Sequence, residues 1–215
     1  MTPEERRAAN EGLLRERGIP VNPHLPMIES EDGIALRSED ELWRRLVALW
    51  GVVGTAMLRE NSYFREYFSV GERRSWLSGD EAAFLFGDAP TEDDRIRFSW
   101  RLEAMLFLAW CGGLVDALPL PEHPSSVESV LPLYPHDLGD ATMLRQALRL
   151  RSKAEILDWS DRLYRLHWAV RDAQLNGREP PPGINPGMVL EWHHAANWMI
   201  RYDNEDDWDA VGTDT

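Results

Sequence analysis

With 215 residues, 43% of them apolar and 28% charged, the chain has the balance of a folded globular protein rather than a disordered one. Its 37 acidic side chains outnumber 23 basic ones, and the resulting formal charge of −14 repels phosphate backbones and anionic membranes. No run approaches the roughly 18 apolar residues of a membrane span, and Cys111, the one cysteine, excludes an internal disulfide and a four-thiolate zinc site.

The N-terminus is polar and carries no secretion signal, so the expected compartment is the cytoplasm, with no nucleic acid and no membrane as partner. An acidic chain of this kind can still mimic nucleic acid toward a basic protein. Twenty-two of the bases are arginine and one is Lys153, a bias expected from GC-rich bacterial coding that also favours bidentate carboxylate pairing. Ten tryptophans, each able to bury roughly 200 Å², supply material for a large core.

Helix signals dominate the chain. Thr2-Pro3 opens a first helix that Gly18 ends, after Arg15 and Arg17 in its last turn. Residues 18–37 carry three prolines and read as a long extended strap with room for one short strand. Ser38-Glu39-Asp40-Glu41 is a capping box for a helix through about Arg59, with Leu42, Leu46, Leu49, Val53 and Met57 as its apolar stripe. Tyr63 to Phe86 is aromatic-rich and interrupted at Gly71, Ser78-Gly79 and Gly87, which predicts two or three short helices.

Thr91-Glu92-Asp93-Asp94 starts a long helix to about Cys111, stopped by Gly112-Gly113. Residues 116–137 form a proline-rich loop, where a boundary between subdomains would fall. Asp140 caps a short helix to Leu150. Ser152-Lys153-Ala154-Glu155 is a second capping box, for a helix ending at Asn176-Gly177. After a rigid turn at Pro180 to Gly183, Asn185-Pro186 starts the last helix, which reaches about Arg201. No run alternates with period two and no repeat is present. The expected fold is all-α, about seven to nine helices in one domain over 1–202, followed by an acidic tail, 203–215.

The last two long helices hold the densest information. Ile156, Trp159, Leu163, Leu166, Val170 and Ala173 make one stripe, with Tyr164, His167, Trp168 and Arg171 on the neighbouring side, so this helix belongs mid-domain. On the last helix Met188, Trp192, Ala195 and Met199 form the stripe. Glu191, His194 and Trp198 share one flank, while His193 and Asn197 lie on the other. His193 and His194 point roughly 100° apart, which disfavours one metal taking both.

These segments carry a resemblance. Tyr164-Arg165-Leu166-His167-Trp168-Ala169-Val170-Arg171-Asp172-Ala173, Leu175-Asn176-Gly177-Arg178 and Glu191-Trp192-His193-His194-Ala195-Ala196-Asn197-Trp198 resemble the bacterial domain-of-unknown-function family 4272, whose members more often have arginine or histidine at the place of Trp192. Weaker matches at Arg17-Gly18-Ile19, Leu36-Arg37-Ser38, Phe98-Ser99-Trp100-Arg101-Glu103-Ala104 and Trp208-Asp209 extend the likeness over most of the chain. The resemblance implies a helical domain and brings no activity with it.

Two chemical readings compete. Glu191 and His194 form a Glu-x-x-His element, but a di-iron bundle needs a second one, and none exists in the sequence. A mononuclear metal site from His167, Glu191 and His194 remains open if the two helices pack face to face. Against it stands a structural polar network of Tyr164, His167, Arg171, Asp172, Glu191, His194 and Asn197, with Arg171 as the natural bidentate partner of Glu191.

Elsewhere Cys111 sits on an apolar helix face as an inert thiol, and Arg44-Arg45 and Arg73-Arg74 read as surface charges. The tail 203–209 lacks the glycine and distal glutamate of a calcium loop and reads as solvated, with Trp208 able to dock back on the body. The expectation is a non-catalytic protein-interaction module with a protein partner and no cofactor. The alternative is a metal-dependent, hydrolase-like enzyme built on the His/Glu cluster.

Overall fold

Side-chain caps written into the sequence start most of the helices. The structure is a computed structural model that describes every residue except 60, 89, 127, 129 and 137. Thr2, Ser38, Ser78, Thr91 and Ser152 each accept a hydrogen bond from the backbone N–H three residues on, and the carboxylate at that position accepts one from the cap's own backbone N–H. These boxes open α1 (Pro3–Glu16), α2 (Glu39–Leu58), α4 (Gly79–Phe86), α5 (Glu92–Ser99) and α8 (Lys153–Leu175). Between them lie α3 (Ser62–Phe68), α6 (Arg101–Cys111) and α7 (Thr142–Ala147). The Asn185 side chain opens α9 (Pro186–Met199) by accepting from Gly187 and Met188. The described residues are all-α: they contain no strand, and no helix among them is long and apolar enough to cross a membrane.

Three expectations are corrected. The single helix foreseen over 91–111 is broken at Trp100, where the chain tightens to an i→i+3 hydrogen bond from Glu103 N to Trp100 O and the indole packs over Gly187 at the start of α9. On α2 the stripe continues through Ala56 rather than Met57, which is 58% exposed; spacing from Val53 allows either. Residues 18–37 hold a 3-10 turn, Glu31–Gly33, instead of a strand. Side chains hold that strap by its carbonyls: Arg6 donates to Ile28 and Glu29, and Lys153 donates to Glu31 and Ile34. Such bonds replace the ladder that an extended segment lacks.

The helices stack in the order α1, α8, α9, α6, α2, with α5 running on beside α2 and α3 and α4 on its outer side. The main apolar core is built mainly from α2, α6, α8 and α9, including Leu42, Leu46, Phe107, Trp159 and Trp192. A smaller cluster of Leu14, Ile19, Leu166, Val170 and Val189 fills the α1 side. Beside it, buried Arg165 grips Asp161 in a two-pronged contact of 2.9 and 2.8 Å, which Glu11 and Asn10 of α1 complete. Gly51 and Gly54 notch α2: a methyl group at either position would lie 2.2 Å from the rings of Phe68 and Phe64 on α3. The 116–137 stretch, whose residues 127, 129 and 137 fall outside the description, is tied to the core through Glu103, which accepts from the Ser125 backbone and hydroxyl.

Candidate functional site

The α8–α9 seam brings His167 against His193, not His194. Their Nδ1 atoms are 2.9 Å apart and the rings meet edge to face at 5.1 Å. Such a contact holds one proton between two neutral imidazoles. Burial, and then the nearby Arg171, depresses His167 to about 4. Burial, followed by the other two histidines, takes His193 to about 3. Half-buried Tyr164 lies beside this pair, its ring 6.1 Å from that of His193.

The other flank of α9 faces α6. Arg101 Nη1 donates to Glu191 at 2.9 Å and to His194 Nδ1 at 3.0 Å. A guanidinium only donates, so His194 Nδ1 is bare, its Nε2 carries the proton, and that N–H donates to the Trp208 carbonyl at 2.8 Å. The His194 ring also stacks on Trp208 at 4.4 Å. Burial first and Arg101 second hold His194 down, to about 4; for Glu191 burial outweighs Arg101 and raises the carboxyl. Asn197 donates to the Gly212 carbonyl at 2.8 Å. These contacts fasten the C-terminal tail to the body.

Among the clefts on the surface of the described residues, three are lined in part by tryptophan. One of about 430 Å³ is lined by His167, Trp168, Arg171, Leu190 and residues 213–215. A second, of about 600 Å³, runs between α2, α3 and the 131–136 turn and is walled by Trp50, Leu58, Tyr63, Leu131, Tyr134 and Pro135. In it Trp50 and Tyr134 stack at 5.9 Å, and Tyr63 meets Trp50 edge-on. The third, of about 270 Å³, lies between Arg44, Trp76 and the tail at Asp206 to Trp208.

The profile of the family described as domain of unknown function (DUF4272) matches residues 6–211. The chain belongs to that family. No curated protein and no solved structure matches it.

For this DUF4272 chain the geometry separates residues that helical spacing had grouped. Glu191 and His194 turn to α6 while His167 turns to the seam, and among the described residues no three His, Cys, Asp or Glu side chains gather to hold a metal. The expected Arg171–Glu191 pair is replaced by Arg101–Glu191. Arg171 sits on the α8 side of α9 and is exposed, whereas Glu191 faces α6. Asp172 belongs to the end of α8, where Arg178 and Asn176 engage it.

Arg45, read as a surface charge, is 5% exposed, pairs with Glu81 and lies 4.7 Å over the Trp208 ring. Trp208 itself is 3% exposed, so the tail around it packs rather than floats. Cys111 is fully enclosed, and burial pushes its thiol far up. Reasoning from sequence missed Arg101, His193 and Glu103, the last of which accepts the Trp192 indole N–H at 3.2 Å. The one available signal was His193 lying on the flank opposite His194.

Proposed function

We propose that this chain is a non-catalytic protein-interaction module whose aromatic groove docks an extended, proline- and aliphatic-rich segment with basic flanks. The observation that carries the reading is the wall of Trp50, Tyr63 and Tyr134, to which Leu131 and Pro135 add apolar surface. Flat rings spaced along a groove suit a polyproline-type strand, which loses little entropy on binding. Among the described residues no Arg, Lys, Asp or Glu lines the groove; beside His136 and the tyrosine hydroxyls its lining is mainly apolar. The formal charge of −14 repels a second copy of the chain and steers a basic-flanked partner toward it. Glu191 and His194, the candidates for chemistry, are engaged by Arg101 and the tail instead.

Leu58, 70% exposed, and Leu131, 42% exposed, stand at the groove, so glutamate at either position leaves the core untouched. Proline-rich peptides with arginine flanks, measured by fluorescence anisotropy, should bind the parent chain and lose about tenfold or more in affinity with Leu58→Glu or Leu131→Glu. Equal binding by both variants would remove the groove from the reading. Turnover of small substrates by metal-free protein in a broad activity screen would remove its non-catalytic part.

A further inference from the structure

Arginine is the chain's near-exclusive base, and the fold finds a place for almost every copy. Among the described residues 21 of the 22 arginines meet a carboxylate, a carbonyl or an aromatic ring. Arg171 is the exception. In a chain with 37 acids, a guanidinium left without a partner stands out, and this one lines the cleft of about 430 Å³ that also reaches His167.

The rest of the cleft is consistent with a small ligand. Trp168 is half-buried, and Leu175 and Leu190 are 78% and 45% exposed, which leaves aromatic and aliphatic surface next to a free cation. His167 spends Nδ1 on His193, and its Nε2 has no hydrogen-bond partner among the described residues. Of the nearby carboxylates, Asp172 is engaged by Arg178 and Asn176, whereas Asp214 lines the cleft and opposes a multiply charged anion. The space exceeds that of a bare ion and falls within the range of small-molecule pockets.

We propose that this cleft binds a small organic monocarboxylate, its head group on Arg171 and His167 and its hydrocarbon body against Trp168, Leu175 and Leu190. The carboxylate accepts from the guanidinium and from His167 Nε2–H. His167 Nδ1 is then bare and accepts from His193 Nδ1–H, so binding selects one of the two arrangements of the single proton between the rings. Because burial and Arg171 keep His167 neutral at ordinary pH, the imidazole acts as a donor of one N–H and not as a second cation.

Phenylacetate, its uncharged analogue phenylacetamide, and inorganic phosphate are the probes, followed by calorimetry and by ¹⁵N resonances of the imidazoles. Phenylacetate should bind more tightly than phenylacetamide or phosphate and move the His167 Nε2 resonance toward the protonated position. Arg171→Gln should weaken it about tenfold, the loss of one charge-assisted contact, while Arg145→Gln on a distant surface should not. Arg171 is exposed, so its replacement leaves the fold intact. No binding of phenylacetate, equal binding of phenylacetamide, or unchanged affinity in Arg171→Gln would overturn the proposal.

Discussion

The two flanks of α9 are made of similar residues and end in opposite conditions. Toward α6, Glu191 and His194 share Arg101, and the remaining histidine nitrogen holds the Trp208 carbonyl. Toward α8, His193 meets His167, and the adjacent cation, Arg171, has no partner among the described residues. Among the described residues the Glu191 carboxylate and both His194 nitrogens are engaged toward α6, with only Arg101 Nε and the Trp208 indole N–H left over, whereas toward α8 a whole guanidinium is unused. Residue type alone therefore does not mark a site; what decides is whether neighbouring elements have already satisfied the polar atoms.

That contrast can be broken from either side. The largest effect belongs to the α6 flank: Arg101→Ala leaves Glu191 buried without its counter-charge and should lower unfolding stability by roughly 3 kcal/mol in urea titrations, and a loss under about 1 kcal/mol would show that flank to be loosely built.

The seam responds next, through pH. His167, His193 and His194 are held near 4, 3 and 4, below the ordinary value of 6.5. The unfolded chain thus takes up protons first as pH falls, and stability present above 6.5 drains away toward 4, by at most about 1.4 kcal/mol per pH unit for each ring. His193→Gln should flatten that slope in thermal melts between pH 7 and pH 4.5; an unchanged slope would mean the pair does not carry it.

The smallest effect lies on the open flank, where Arg171→Gln should change stability by less than about 0.5 kcal/mol. A larger loss would assign Arg171 to the scaffold.

Local chemistry made much of the fold legible. The pairs Thr2 with Glu5, Ser38 with Glu41 and Ser152 with Glu155 are complete in the sequence, because a cap needs only its own first turn. The stripe from Ile156 to Ala173 was legible for the same reason, since periodicity is a property of one helix. What helix spacing cannot state is which neighbour each face receives. Glu191 and Arg171 lie on helices that do touch, yet their faces diverge, and the partner comes from α6, 90 residues away in sequence. Arg45 was misread likewise: its burial depends on Glu81 and on Trp208, both remote in the chain. The break at Trp100 had no glycine or proline to announce it.

The two notches in α2 reach further than helix packing. Phe68 sinks into Gly51 and Phe64 into Gly54, and α3 settles at the height that sets Tyr63 beside Trp50. The depth of the aromatic trough is thereby tuned from behind its lining, so an alanine at Gly54 would push on Phe64, jack up the neighbouring helix and reshape a recognition surface from a position that does not line it.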